Sequence, residues 1–202
     1  MRSADVILQE GIRAGQIGGN SEPHGKHAMG FTRFLDDSAE FVGKCADIGS
    51  GVGLPGLILA DACPATSWLL IERREGRTDL LRRAIARLEL EDRVDVFTGD
   101  AVEVARGQDR GSFDWVTARS FGPPADTAEC SVGLLAPGGS LITSEPYEGS
   151  REQRWPEAGL AEVGLRFAQV WETPHGRYLR FVRDSQELTH LPRAGARKRP
   201  LF

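Results

Sequence analysis

The segment Asp47-Ile48-Gly49-Ser50-Gly51-Val52-Gly53-Leu54-Pro55-Gly56 constrains the fold of this chain more than any other. An apolar run closes on an acidic residue, glycines then recur through Gly56, and a proline precedes residues with helical spacing. The segment reads as a strand, a tight glycine turn and a helix N-terminus. Glycine takes positive φ freely and lets the backbone approach a ligand that a Cβ would block. Pro55 suits a first helical turn, where its missing N–H is no loss.

Two ligands compete for such a turn. The spacing Gly51-x-Gly53-x-x-Gly56 matches a dinucleotide fingerprint, in which a pyrophosphate rests on the helix N-terminus. The longer pattern Asp47-x-Gly49-x-Gly51-x-Gly53 matches the S-adenosylmethionine loop of class I methyltransferases. Charge favours the second, because a carboxylate beside the turn attracts a cationic sulfonium and repels phosphate.

The rest of the chain alternates. Strand-like runs at Ser67–Glu72, Arg93–Thr98, Phe113–Arg119 and Ser140–Ser144 are separated by helical patterns at Gly56–Asp61, Arg77–Leu88, Ala101–Arg106 and Asp126–Leu135. Repeated βα units of this kind predict an α/β fold with a mostly parallel sheet and helices on both faces. Two further runs, Leu165–Glu172 and Arg177–Arg183, flank the turn Thr173-Pro174-His175-Gly176 and predict a C-terminal antiparallel hairpin. That ending is typical of the class I methyltransferase fold. Before the loop, a short helix is expected from Ala4 to Gly15, a polar loop from Glu22 to Gly30, and an amphipathic helix over Phe31–Val42. His24 and His27 lie three apart without a nearby third ligand, so they are read as solvated loop histidines and not as metal ligands. The expected organisation is N-terminal helices and a loop over 1–42, a cofactor-binding domain over 43–184, and a basic arm over 185–202.

A length of 202 residues suffices for one such domain. The net charge of −4 argues against wholesale nucleic-acid coating while allowing a local basic surface. Three cysteines without C-x-x-C spacing indicate neither a disulfide framework nor a zinc site. No apolar run approaches the ~20 residues that cross a bilayer, and no signal pattern opens the chain. A cytoplasmic protein is expected.

Ligands in open α/β sheets bind beyond the carboxyl ends of the strands. Asp47 and its glycines follow the first strand. Glu72 closes the second, about 20 residues beyond the loop, where a carboxylate can accept both ribose hydroxyls; it also suits a helix N-terminus. Asp100 and Ala101 follow the third, placed to meet an adenine edge, and Asp100 is also a good N-cap. Arg119 follows the fourth; it can orient the cofactor carboxylate or a substrate phosphate, or pair with a neighbouring acid. Arg73-Arg74 beside Glu72 keeps an NADP-linked oxidoreductase in view, since an arginine there can meet a 2′-phosphate. The chain lacks the Asn/Asp-Pro-Pro-aromatic loop with which many base methyltransferases accept the hydrogens of an exocyclic amine. A ring nitrogen such as guanine N7 has a free lone pair and needs no such loop, so in-line positioning is the expected source of catalysis.

The glycine segment, Leu70-Ile71-Glu72, Arg77, Phe113-Asp114-Trp115-Val116-Thr117-Ala118-Arg119 and Leu134-Leu135-Ala136-Pro137-Gly138-Gly139 together closely resemble the RsmG (GidB) family. The terminal Leu191-Pro192-Arg193-Ala194-Gly195 and Lys198-Arg199-Pro200-Leu201 resemble its basic tail. The resemblance implies an S-adenosylmethionine-dependent methyltransferase acting on guanine N7 of small-subunit (16S) ribosomal RNA, with the RNA or the small subunit as partner. It implies cofactor contacts from Asp47, Gly49, Ser50, Gly51, Gly53, Leu54, Glu72, Arg73, Asp100, Ala101 and Arg119, with Arg119 also positioning the reactants. Arg77, Arg193, Arg197, Lys198 and Arg199 are the expected RNA contacts.

Three departures concern the acceptor. Gly76 stands where the family usually has a lysine, Ser144-Glu145-Pro146 where a Lys-Gly is usual, and Arg33 where a histidine is common. A small-molecule methyltransferase and a non-catalytic RNA-binding module on the same fold therefore stay as alternatives.

Overall fold

The computed structural model describes residues 8–9, 11–13, 15–33, 41–185, 188–193 and 200–202. Its centre is a seven-stranded sheet. Strands β1 (Gly43–Ile48), β2 (Thr66–Glu72), β3 (Val94–Thr98), β4 (Phe113–Ala118) and β5 (Leu135–Glu145) are mutually parallel. β6 (Leu165–Thr173) and β7 (Gly176–Arg183) form the antiparallel hairpin, and β7 also pairs antiparallel with β5. The spatial order is β3-β2-β1-β4-β5-β7-β6, so the chain reverses direction between β1 and β4. Such a switch point leaves a crevice at the carboxyl ends of the two strands.

Alternation along the strands decides which helices cover which face. Ala46, Ile48, Val116 and Leu141 point into one core with Val104 of α4 (Ala101–Arg106) and Leu134 of α5 (Pro124–Leu134). Cys45, Trp68, Leu70 and Ile142 point into the other with Leu57 of α2 (Gly56–Ala62) and Leu81 and Ile85 of α3 (Glu75–Arg87). A strand covered on both faces must be apolar on both, which explains the nearly continuous apolar runs in the sequence.

The N-terminal segment departs from expectation. Residues 21–29 form helix α1 (Ser21–Met29), not a loop. Pro23 and Gly25 hide the helix from a propensity reading. Glu22 in the first turn and Lys26 and His27 in the last complement the macrodipole, and Glu22 pairs with Lys26 at 2.6 Å. A 3₁₀ turn over Gly30–Thr32 follows. Most of the helix expected over Phe31–Val42 lies outside the described residues, as does part of that expected over Ala4–Gly15, of which residues 8, 9 and 11–13 are helical. Two short helices without a clear signal in the sequence, α6 (Arg151–Arg154) and α7 (Glu157–Glu162), precede β6.

The C-terminal segment is tied down at both ends of its basic run. Arg110 donates to the carbonyls of Leu188 and Leu191, and Leu191 is buried. Phe202 packs over Gly159 of α7, against the core.

Candidate functional site

At the switch point the glycine segment is a rigid cradle. Gly49, Gly51 and Gly53 have φ of 72°, 59° and 100°, values that disfavour any side chain. A Cβ on Gly53 would stand 2.6 Å from Leu57 Cβ, and one on Gly56 would stand 2.7 Å from Asp47 Cβ. The loop thus packs its own helix as tightly as backbone permits.

Asp47 holds this arrangement from below. Its carboxylate is wholly enclosed, accepting from Gly56 N at 3.1 Å and from Thr117 Oγ1 at 2.7 Å. The Ser50 hydroxyl donates to the Asp47 carbonyl at 2.8 Å. Burial raises the Asp47 pKa to about 6, although the hydrogen bonds from Thr117, Gly56 and Ser50 pull the other way. The structure therefore gives Asp47 no surface facing the cleft. Its contacts tie β1, α2 and β4 together.

Glu72 does face the cleft. One carboxylate oxygen accepts from Gly51 N at 3.1 Å and the other from Arg74 N at 3.0 Å, while Arg77 Nη1 lies 3.7 Å away. Each carboxylate oxygen has more than one acceptor direction, so capacity for a ligand hydroxyl remains. Asp100 caps α4 through Val102 N at 3.0 Å, and Arg73 Nη1 lies 3.8 Å from its carboxylate. Glu72, Arg73, Gly49 and Ala101 line one cleft of about 160 Å³.

A second cleft of about 220 Å³ lies on the other side of the turn, lined by Ser50, Gly51, Leu54 and Arg119. Gly49, Arg77 and Ser120 belong to the walls of both, so the two are adjoining halves of one site. Arg77, expected at an RNA rim, thus sits inside this site, where its Nε also donates to Gln16 Oε1 at 3.2 Å. Arg119 is partly buried, its pKa lowered mainly by desolvation. Its Nη2 lies 3.1 Å from His24 Nδ1, and His24 Nε2 lies 2.7 Å from the Gly18 carbonyl. His24 therefore lies on a helix, not in a solvated loop, and stands behind Arg119 of the wall.

Several wall residues escaped the sequence reading. Gln16 and Ile17 arrive from far along the chain and carry no local signal, nor does His24, which backs Arg119. Ser120 and Phe121 lie directly after β4, the position at which open α/β sheets bind ligands, so their place in the chain was the signal; Ser120 also has φ of 54°. Arg193, an expected RNA contact, forms a two-pronged pair with Glu129 of α5, at 2.9 and 2.8 Å, and Glu129 is buried. Arg197, Lys198 and Arg199 lie outside the described residues.

Comparison with known proteins bears directly on this site. The model of the GidB family, rRNA small subunit methyltransferase G, matches residues 27–154. This chain belongs to that family. A ribosomal RNA small subunit methyltransferase G from Frankia casuarinae is 28% identical over 96% of this chain and 76% of its own length. Its counterpart in Salinispora arenicola is 35% identical over 80% and 68%, and that in Syntrophomonas wolfei 31% over 83% and 78%. Among solved structures, an O-methyltransferase family protein from Burkholderia thailandensis superposes with a TM-score of 0.61 at 16% identity, over 91% of this chain and 60% of its own. TYW2 of P. horikoshii, solved with MeSAdo, gives 0.61 at 13%, over 86% and 66%. At such identities the structures speak for the fold alone, and that fold is the class I methyltransferase expected.

As a GidB family member, the chain is an S-adenosylmethionine-dependent methyltransferase. The cradle fits that cofactor: glycine backbone where a Cβ would intrude, and Glu72 with unused acceptor capacity on the cleft wall. The dinucleotide match from Gly51 to Gly56 is a by-product of the longer motif starting at Asp47. Among the described residues no helix is long and apolar enough to cross a membrane.

Proposed function

We propose that the chain methylates N7 of a guanine in small-subunit ribosomal RNA, acting in the cytoplasm on the RNA or the small subunit. The observation that carries this reading is a third cleft, of about 300 Å³, whose wall includes Ser120 and Phe121, the same two residues that close the 160 Å³ cleft. An acceptor there stands beside the cofactor across one shared wall.

S-adenosylmethionine supplies an electrophilic methyl group on a sulfonium. In this reading Glu72 accepts the ribose hydroxyls, Asp100 and Ala101 meet the adenine edge, and Gly49, Ser50, Gly51, Gly53 and Leu54 enclose the middle of the cofactor. Arg119, held by His24, faces its carboxylate end, Arg77 stands between the two halves of the site, and Arg73 closes the rim. Guanine N7 attacks in line with its own lone pair. The sulfonium would leave as a neutral thioether that keeps the electron pair of the broken C–S bond, so no proton need leave the base. Catalysis then comes from holding two reactants in register, and the chain needs no general base. The basic run of Arg197, Lys198 and Arg199, reached from Arg193, adds phosphate contacts.

A second reading, a small-molecule acceptor, draws on Glu145 and Gly76 standing where relatives usually have lysine. One experiment separates the two. Undermodified small subunits and their free RNA are incubated with the protein and methyl-labelled cofactor, and the modified nucleotides are mapped. The expected product is 7-methylguanosine at one site; no transfer to either substrate would overturn the RNA reading.

A further inference from the structure

We propose that Glu145 selects guanine by accepting from its Watson–Crick edge in the third cleft. The inference rests on the RNA reading above and deepens it. Glu145 is the last residue of β5 and lines that cleft together with Ala118, Ser120, Phe121, Pro146 and Arg154. It is the one carboxylate among the described residues of that wall. Its side chain is only 6% exposed, and Arg154 Nε donates to one of its oxygens at 2.5 Å. An arginine on one oxygen keeps the group an acceptor and fixes its direction.

The chemistry of the bases then sets the choice. Guanine presents two adjacent donors, N1–H and the 2-amino group, which match two lone pairs of one carboxylate. Adenine presents a lone pair at N1, which a carboxylate repels. N7 lies on a different edge, so a guanine gripped by Glu145 keeps its nucleophile free. Phe121 and Pro146 offer the flat apolar surface on which an unpaired base stacks. The lysine usual at this position can hold a phosphate but offers no acceptor. Gripping the Watson–Crick edge also requires that the target be unpaired, as for other enzymes that act on an extruded base.

The test compares wild type with Glu145→Gln, which keeps the shape of the side chain and presents an amino group to the two donors. S-adenosylhomocysteine binding is expected to stay unchanged and Tm to fall, since Arg154 loses its charged partner, while kcat/KM on small-subunit RNA at a temperature well below Tm falls about 10- to 100-fold. A second substrate carries inosine, which lacks the 2-amino group, at the mapped guanine. Wild type is expected to lose about 10-fold on inosine, and the variant nothing further. Wild type indifferent to the 2-amino group, or a variant with wild-type kcat/KM, would overturn the role of Glu145 and leave the RNA reading standing. Wild type inactive on every guanine of the RNA and the subunit would remove both.

Discussion

On the side of β1, β2 and β3, the cleft is made of backbone and of Glu72, with Asp47 and Asp100 bracing the turns beside it; on the side of β4 and β5, it is made of side chains, several of them held by partners from distant segments. Asp47, Glu72 and Asp100 lie at the carboxyl ends of three successive strands, and two of them bond to amides within the same or the next turn. Glu145 instead pairs with Arg154 across a loop, and Arg119 with His24 across 95 residues. A backbone cradle tolerates little change, because Gly49, Gly51 and Gly53 hold positive φ and a Cβ at Gly49, Gly53 or Gly56 meets packed side chains. A wall of side chains can be rebuilt one residue at a time. The first half therefore fixes the chemistry, and the second is free to change the acceptor.

The sharpest way to break this contrast is at Asp47, whose enclosure underlies the first half. The fold prefers its protonated form, because the pKa rises from 3.8 to about 6 through burial. Between these values the folded protein keeps a proton that the unfolded chain releases, so this group's contribution to stability declines as pH rises from about 4 to about 6. Two pKa units correspond to about 3 kcal/mol. Denaturant titrations of wild type and Asp47→Asn at pH 4 and pH 7 should show the wild-type advantage shrinking by about that amount. A difference independent of pH would mean that this carboxylate does not carry the burden of its burial.

Next in size is Glu72→Ala, expected to weaken S-adenosylhomocysteine binding by about 30-fold, or about 2 kcal/mol, through loss of a charged acceptor. Calorimetry measures this, and RNA binding without cofactor should stay the same. If RNA binding fell equally, the halves would not be separable.

The difference between the halves also explains what was legible in the sequence. Glycine spacing, the βα rhythm and an acid near the end of each strand are local patterns, and they led to the sheet, the hairpin, and the glycine turn and Glu72 that line the clefts. Arg77 was expected at RNA from the family resemblance alone; its place on the first turn of α3, lining both halves of the site, is set by packing that the sequence does not show. Helix α1 was missed because Pro23 and Gly25 outweigh its charges in any local reading, whereas the Tyr178 hydroxyl bonding to the His27 carbonyl at 2.8 Å helps to pin it from 151 residues away. Gln16, His24 and Arg154 enter the site by packing alone.

The C-terminal segment combines both kinds of construction, and there the expected effect is smallest. Arg193 looked like one member of a free basic arm, yet its guanidinium meets Glu129 and its backbone N–H donates to the same carboxylate at 2.7 Å. Phe202 fastens the other end on α7. Arg197, Lys198 and Arg199 fall in sequence between these two anchored stretches and outside the described residues. Replacing these three by alanine should reduce the slope of log affinity against log salt by about 2, at ~0.7 per single-strand phosphate contact. Cofactor binding should not change. Arg193→Ala should instead lower Tm, since it leaves a buried carboxylate without its partner, and should leave the salt slope alone. If the Arg193 variant reduced the slope as much per charge as the triple variant, all four charges would touch RNA and the pair with Glu129 would not set Arg193 apart.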